Sequence, residues 1–229
     1  MKQRLVTFLR EEWLQVLLLA LPVLSSLAAL PFATNRVPMQ WGLDGRVNWY
    51  APKEWGLLVM PVSMLLTFGL VFWLESRDPA RHREADGTLS PHGRATRTIR
   101  LGISAVLAAV SLIQIAAALG RHPDVSRLIP SLVALLIAFL GNFFGELKPN
   151  RYVGIRVPWT MNSEAVWRHT HRISGWLYTI SSLIMLFVIW LLPARAQHAA
   201  SVGWIIVLLV VPLFIAWQAA RRERQQKSV

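Results

Sequence analysis

The chain has 229 residues, no cysteine, 54% hydrophobic residues, only 16% charged residues, and a formal net charge of +12. A soluble domain carries about 25% charged residues, and here the deficit is concentrated in long charge-free runs. That distribution excludes an ordinary soluble enzyme domain, a disordered tail and a disulfide-stapled secreted module, and points to an integral membrane protein.

In chain order, six runs lack Asp, Glu, Lys and Arg: 13–35, 55–74, 101–120, 128–145, 173–194 and 196–220. A spanning helix takes about 20 residues, within a range of roughly 17–25, so each run predicts one span. The expected fold class is an all-α integral membrane protein with about six transmembrane helices. The first run holds eleven Leu, Val or Phe residues, which together favour insertion by roughly 3–6 kcal/mol. Lys2, Arg4 and Arg10 before it resemble a signal n-region. A signal h-region is only about 7–15 residues long and is followed by a small-residue cleavage site, so an uncleaved helix is expected. Pro22 inside it predicts a kink.

The connection 34–54 mixes aromatics, Gly, Pro and charge and is longer than the roughly 2–8 residues usual between bundled helices. It reads as a structured loop with a turn at Gly42-Leu43-Asp44-Gly45. Trp41, Asp44, Trp49, Tyr50 and Lys53 are its candidate binding residues, with aromatic faces for an apolar ligand surface and charges for its polar groups. The stretch from Glu75 to Arg100 reads as a mobile polar loop. In the third span Ser104, Ala105, Ala108 and Ala109 predict a close-packing face.

The connection 146–172 is the second unusual one. Pro149 and Pro158 prevent continuous helix, and Tyr152, Val153, Ile155, Val157 and Trp159 are apolar enough to fold back on a membrane surface. Arg156, flanked by Ile155 and Val157, is expected to need an anionic partner near the interface, with lipid headgroups, Glu146 and Glu164 the candidates. Asn162 or Ser163 should cap a helix running from Glu164 to Leu192. On that helix Trp167, His171, Ser174, Tyr178 and Ser181 form one polar-aromatic stripe. Either it is an inward bundle face satisfied by neighbours, the favoured reading, or it lines a groove.

Lys and Arg alternate in density between connections. The N-terminus, the second and fourth connections and the C-terminus hold 18 of them, against 6 in the remaining three connections. The positive-inside rule then places both termini in the cytoplasm. This asymmetry accounts for the basic balance, so no direct nucleic-acid contact is expected, and the lipid bilayer is the first partner. His169 and His171 resemble a metal pair, but positions i and i+2 point to different helix faces. H-E-x-x-H, G-x-S-x-G, Walker and G-x-G-x-x-G motifs do not occur. Catalytic residues, metal and cofactor are therefore all expected to be none, and the chain is not expected to be an enzyme.

The segment Lys148-Pro-Asn-Arg-Tyr-Val-Gly-Ile-Arg-Val-Pro-Trp-Thr160 and the following Ser163-Glu-Ala-Val-Trp-Arg-His-Thr-His-Arg-Ile-Ser-Gly175 resemble the signature of the SdpI family. Its fixed positions are matched by Lys148, Pro149, Asn150, Gly154, Ile155, Arg156, Pro158, Trp159, Thr160, Trp167, Thr170, His171 and Gly175. Val37-Pro38, Gly45, Tyr50 and Lys53 are similar to a small membrane module that often precedes that signature, with Gln40 where the module commonly has His. The resemblance implies a bacterial multi-pass membrane protein that gives immunity to a secreted, membrane-active peptide toxin. It also implies a possible cytoplasmic transcriptional repressor as signalling partner. The implied organisation is a two-helix module over 1–75, a cytoplasmic loop over 76–100 and a four-helix SdpI-like region over 101–229 with the signature loop at 146–172. Asn150, Gly154, Arg156, Pro158, Trp159, Thr160, Trp167, Thr170 and His171 are then the candidate inner, partner-facing residues. A small-solute or lipid transporter using the stripe is the alternative, and a membrane enzyme with His171 as base ranks third.

Overall fold

The computed structural model describes residues 2–42, 46–78, 84, 88–150 and 152–227, with the side chains of 2–11, 194 and 227 left aside. Asp44, Gly45 and Arg151 lie outside the described residues. The elements are α1 (Lys2–Ala29), β1 (Arg36–Trp41), β2 (Val47–Pro52), α2 (Lys53–Ser76), α3 (Pro91–Ala118), α4 (Val125–Phe144), the single turn α5 (Pro158–Met161), α6 (Glu164–Leu191) and α7 (Ala194–Lys227). Six of these helices are long and apolar enough to cross a membrane. Most of their large apolar side chains face outward, Leu66, Leu70, Phe187, Leu191 and Phe214 among them. Only lipid can cover so much apolar surface on one chain.

Several helices outrun their charge-free runs. α3 begins at Pro91 and α6 at Glu164, each about nine residues earlier than its run. The helix has no reason to stop where charge begins, because its backbone hydrogen bonds are internal. At 1.5 Å per residue a 28-residue helix is about 42 Å long, against a hydrocarbon core of about 30 Å. The non-helical dihedrals inside α1 fall at Glu12 (φ −113°, ψ 18°). That break lies at the polar boundary of the span, ten residues before Pro22, which sits inside the helix.

The chain forms two compact units, residues 1–71 with 101–132, and residues 72–100 with 133–229. In the first, Ala29, Ala33, Val37, Leu57, Ile115 and Ala118 make one buried cluster. The inward face of α3 runs Ser104, Ala108, Ser111, Ile115 and Ala118, while Ala105 is exposed. Gln15 Nε2 donates to Ser104 Oγ at 2.7 Å, a buried bond between α1 and α3. β1 and β2 pair antiparallel, Val37 opposite Ala51 and Pro38 opposite Tyr50. This hairpin is a strand element that the helical reading of the sequence does not contain.

In the second unit α6 packs along α7 around Ala134, Met185 and Ile189. α4 and α6 cross at Gly141 and Gly175, where a Cβ on either would stand 2.6 Å from the other's carbonyl oxygen. Arg100 Nε lies 3.2 Å from both oxygens of Glu75, and both side chains are almost fully buried. His92 Nε2 is 2.7 Å from Asp78 Oδ2. The helical, paired residues 91–100 depart from the mobile loop expected of that stretch.

Candidate functional site

The signature segment folds by local hydrogen bonds to its own backbone. Asn150 Oδ1 accepts from the Tyr152 and Val153 amides at 2.8 and 2.7 Å, and its Nδ2 donates to the Lys148 and Val153 carbonyls. An Asn side chain closes a turn in this way because it carries acceptor and donor on one short arm. Gly154 follows with φ +120°, a conformation L side chains avoid. A Cβ there would run into His171 Nε2 and stand 3.0 Å from the Trp167 ring. Thr160 Oγ1 donates to Ile155 O at 2.7 Å and accepts from the Val157 amide at 3.1 Å, setting up α5.

α6 supplies the floor under this loop. Ser163 caps it, its hydroxyl accepting from the Val166 amide. Trp167 is fully buried and its Nε1 donates to Leu147 O at 2.6 Å. His171, also fully buried, stacks on Trp167 with centroids 4.0 Å apart and planes 18° from parallel. The Ile155 amide can only donate, so His171 Nε2 accepts from it at 2.9 Å. Trp167 O can only accept, so His171 Nδ1 carries the ring hydrogen and donates to it at 2.9 Å. Both ring nitrogens are therefore occupied by backbone. Thr170 is buried beside them, and the Lys148 amide donates to His92 Nδ1 at 3.2 Å.

The stripe on α6 faces inward. Tyr178 donates to Leu208 O at 3.2 Å, and Ser181 accepts from Trp204 Nε1 at 3.2 Å. With Trp167 and His171 bonded as above, this geometry favours the inward bundle face, in which the buried Ser174 hydroxyl alone of the stripe has no hydrogen-bond partner among the described residues. His169 is exposed while His171 is buried, so the two imidazoles do not converge on one ion.

The signature residues left outside this framework are Lys148, Pro149, Arg156 and Pro158, all exposed, with Trp159 half-buried. Arg156 makes no ion pair among the described residues, and Glu164 is 3.8 Å from Arg168 instead. Among the described residues, neither Glu146 nor Glu164 supplies the anionic partner expected for Arg156. A second exposed face belongs to α6, where Arg168, His169 and Arg172 line a hollow of about 520 Å³ with Gly145 and Ile173. An adjoining hollow of about 140 Å³ shares Gly145 and Arg172 and continues along Asn142, Trp176 and Thr179. The loop-and-stripe reading did not find this face, although Arg168, His169 and Arg172 at positions i, i+1 and i+4 were its signal.

In the first unit the hairpin presents the other candidate residues. Val37 and Ala51 are buried. Gly56 packs so closely that a Cβ would stand 2.8 Å from Val37 Cβ. Gln114 Nε2 reaches Gly56 O at 3.3 Å and Met39 Sδ at 3.1 Å, and the Thr34 amide donates to Ala118 O at 2.9 Å. On this fixed base Trp49 is 56% and Tyr50 47% exposed, while Trp41 and Lys53 are half-buried. Gln40, exposed, lies opposite Trp49.

Six apolar helices with outward-facing hydrophobic side chains and inward polar bonds define a multi-pass, mainly helical protein of the cell membrane. Residues 146–217 match the model of the SdpI/YfhL protein family, and residues 17–65 match a domain of unknown function (DUF1648). The chain therefore carries the SdpI/YfhL region that the residues between 148 and 175 resemble, preceded by the second module. It is 20% identical over 177 residues to the immunity protein SdpI of Bacillus subtilis (strain 168), an alignment covering 77% of this chain and 80% of the relative. No solved structure matches it.

Proposed function

We propose that this is a membrane immunity protein of SdpI type, which protects by binding or shielding a membrane-active peptide. Family likeness to an immunity protein supports the general reading. The observation that carries the binding surface is the hairpin. Trp49 and Tyr50 stand exposed on a base held by Val37, Ala51, Gly56 and Gln114, so two large apolar faces are offered without a folding role of their own. With both termini cytoplasmic, as the distribution of Lys and Arg suggests, this hairpin faces outward, where a secreted peptide arrives. The signature loop then faces the cytoplasm, and exposed Lys148, Arg156 and Pro158 are the surface for a repressor-like partner.

The protection is stoichiometric in this reading, because His171 has both ring nitrogens engaged by backbone and so has no free nitrogen with which to activate the neighbouring Thr170 and Ser174 hydroxyls. Resistance should scale with copies of the protein relative to toxin. Purified protein incubated with the peptide should return it unchanged in mass, and Trp49→Ala with Tyr50→Ala should lower protection while leaving membrane insertion intact. Multiple-turnover cleavage or modification of the peptide would reverse this reading.

A further inference from the structure

The exposed face of α6 changes character at one level. Arg168, His169 and Arg172 end the charged part of the helix, and the charge-free run 173–194 begins at the next residue. The two adjoining hollows straddle that level. The larger is lined by the three basic side chains and Gly145, and the smaller runs on past Trp176 and Thr179, inside the run. The groove thus has a cationic mouth and a lower end formed by glycines, Trp176 and the side chains of Asn142 and Thr179, which are both bonded to Ala138 O. The change falls where the charge-free run predicts headgroups to meet acyl chains. Glu164 pairs with Arg168 at 3.8 Å, but both are about two-thirds exposed, so the pair is weak and Arg172 is untouched by it. The last carbonyls of α4 do not repel an anion freely, because Phe143 O and Phe144 O accept from the Glu146 and Leu147 amides.

Gly145 supplies the second observation. A Cβ there would meet nothing within 4 Å, and its φ is not positive. Neither packing nor backbone requires glycine at this position, yet its bare surface is what both hollows share.

We propose that this groove holds one anionic phospholipid, its phosphate between Arg168 and Arg172 with His169 at the rim, and an acyl chain alongside Trp176. Guanidinium groups suit phosphate because their planar fork donates two parallel hydrogen bonds, and basic recesses between spanning helices are a known kind of headgroup site. The site is independent of any peptide bound at the hairpin.

The test uses full-length, delipidated protein in detergent, titrated with phosphatidylglycerol or phosphatidylcholine of the same acyl chains and read by native mass spectrometry. Circular dichroism and elution volume check the fold of each variant. Wild type should retain phosphatidylglycerol over phosphatidylcholine by about tenfold or more. Arg168→Gln with Arg172→Gln should remove that preference. Gly145→Leu, which keeps every charge, should lower phosphatidylglycerol retention severalfold by filling the groove. Inorganic phosphate should not displace the lipid. Equal retention of the two lipids by wild type overturns the proposal whatever the variants do. So does undiminished retention in folded Gly145→Leu, or displacement by free phosphate, which would make the face a simple anion site.

Discussion

In the hairpin, the residues that fix the fold and the residues that face outward are different sets. Val37, Ala51, Gly56 and Gln114 hold it, while Trp49 and Tyr50 are left on the outside. In the signature loop most of the motif is consumed by its own folding. Asn150, Gly154, Thr160, Trp167 and His171 are bonded or packed to each other and to backbone, and among the described residues the side chains of Lys148, Pro149, Arg156 and Pro158 are exposed. A dense motif can therefore report an architecture while its binding surface is confined to a few of its positions. A sparse one can leave its most conspicuous side chains free to bind.

The comparison breaks most directly at Gly154. Gly154→Ala adds backbone strain of about 1–3 kcal/mol to a collision with His171 and Trp167 that overpacking data place at about 1–3 kcal/mol. The folded yield should collapse, and any surviving protein should melt well below wild type in detergent. A normal melting temperature would mean the loop does not depend on this contact. Next in size is His171→Phe, which keeps a ring against Trp167 but removes the acceptor for the Ile155 amide. An unsatisfied buried donor costs about 1–3 kcal/mol. Loss of protection should track loss of folded protein, and a fully stable but inactive His171→Phe would point back to chemistry at the ring.

Smaller effects sharpen the other side. Arg156→Ala should leave stability within about 0.5 kcal/mol of wild type, since the side chain is exposed and unpaired among the described residues. Any loss should fall on binding of a cytoplasmic partner, measured by pull-down from membranes. A marked fall in melting temperature would restore the structural ion pair expected from sequence. Trp49→Ala should also change stability by about 0.5 kcal/mol or less, with toxin protection as the sensitive readout. A destabilised Trp49→Ala would mean the hairpin uses its aromatics to hold itself together, as the signature loop does.

The spans were legible because lipid removes charge from the sequence itself, so charge-free runs mark them directly. Their ends were not, because α3 and α6 continue as helices through Pro91–Arg100 and Glu164–Arg172, where polar composition resembles a loop. The hairpin was hidden by Pro38 and Pro52, which argue against strand, and its length was read correctly only as structure of some kind. The signature residues were all visible as a motif, but their spacing could not tell which of them turn inward. That sorting depends on Gly154 at φ +120° bringing the chain back over a histidine whose two nitrogens serve backbone. Gln114 is a polar side chain inside the charge-free run 101–120, and only the fold gives it the hairpin to hold.

The buried pair of Glu75 and Arg100 bears on how the protein is made. The two residues are 25 positions apart, at the end of α2 and within α3. While α2 leaves the ribosome, the residue that Glu75 is buried against in the finished fold has not been made, and a buried charge is costly until its partner is in place. Arg100 arrives only after the intervening chain has been synthesised. The two helices are thus suited to leaving the insertion machinery as one hairpin joined by this pair rather than in succession. A chain stopped before Arg100 would settle α2 in the bilayer less completely than one stopped just after it.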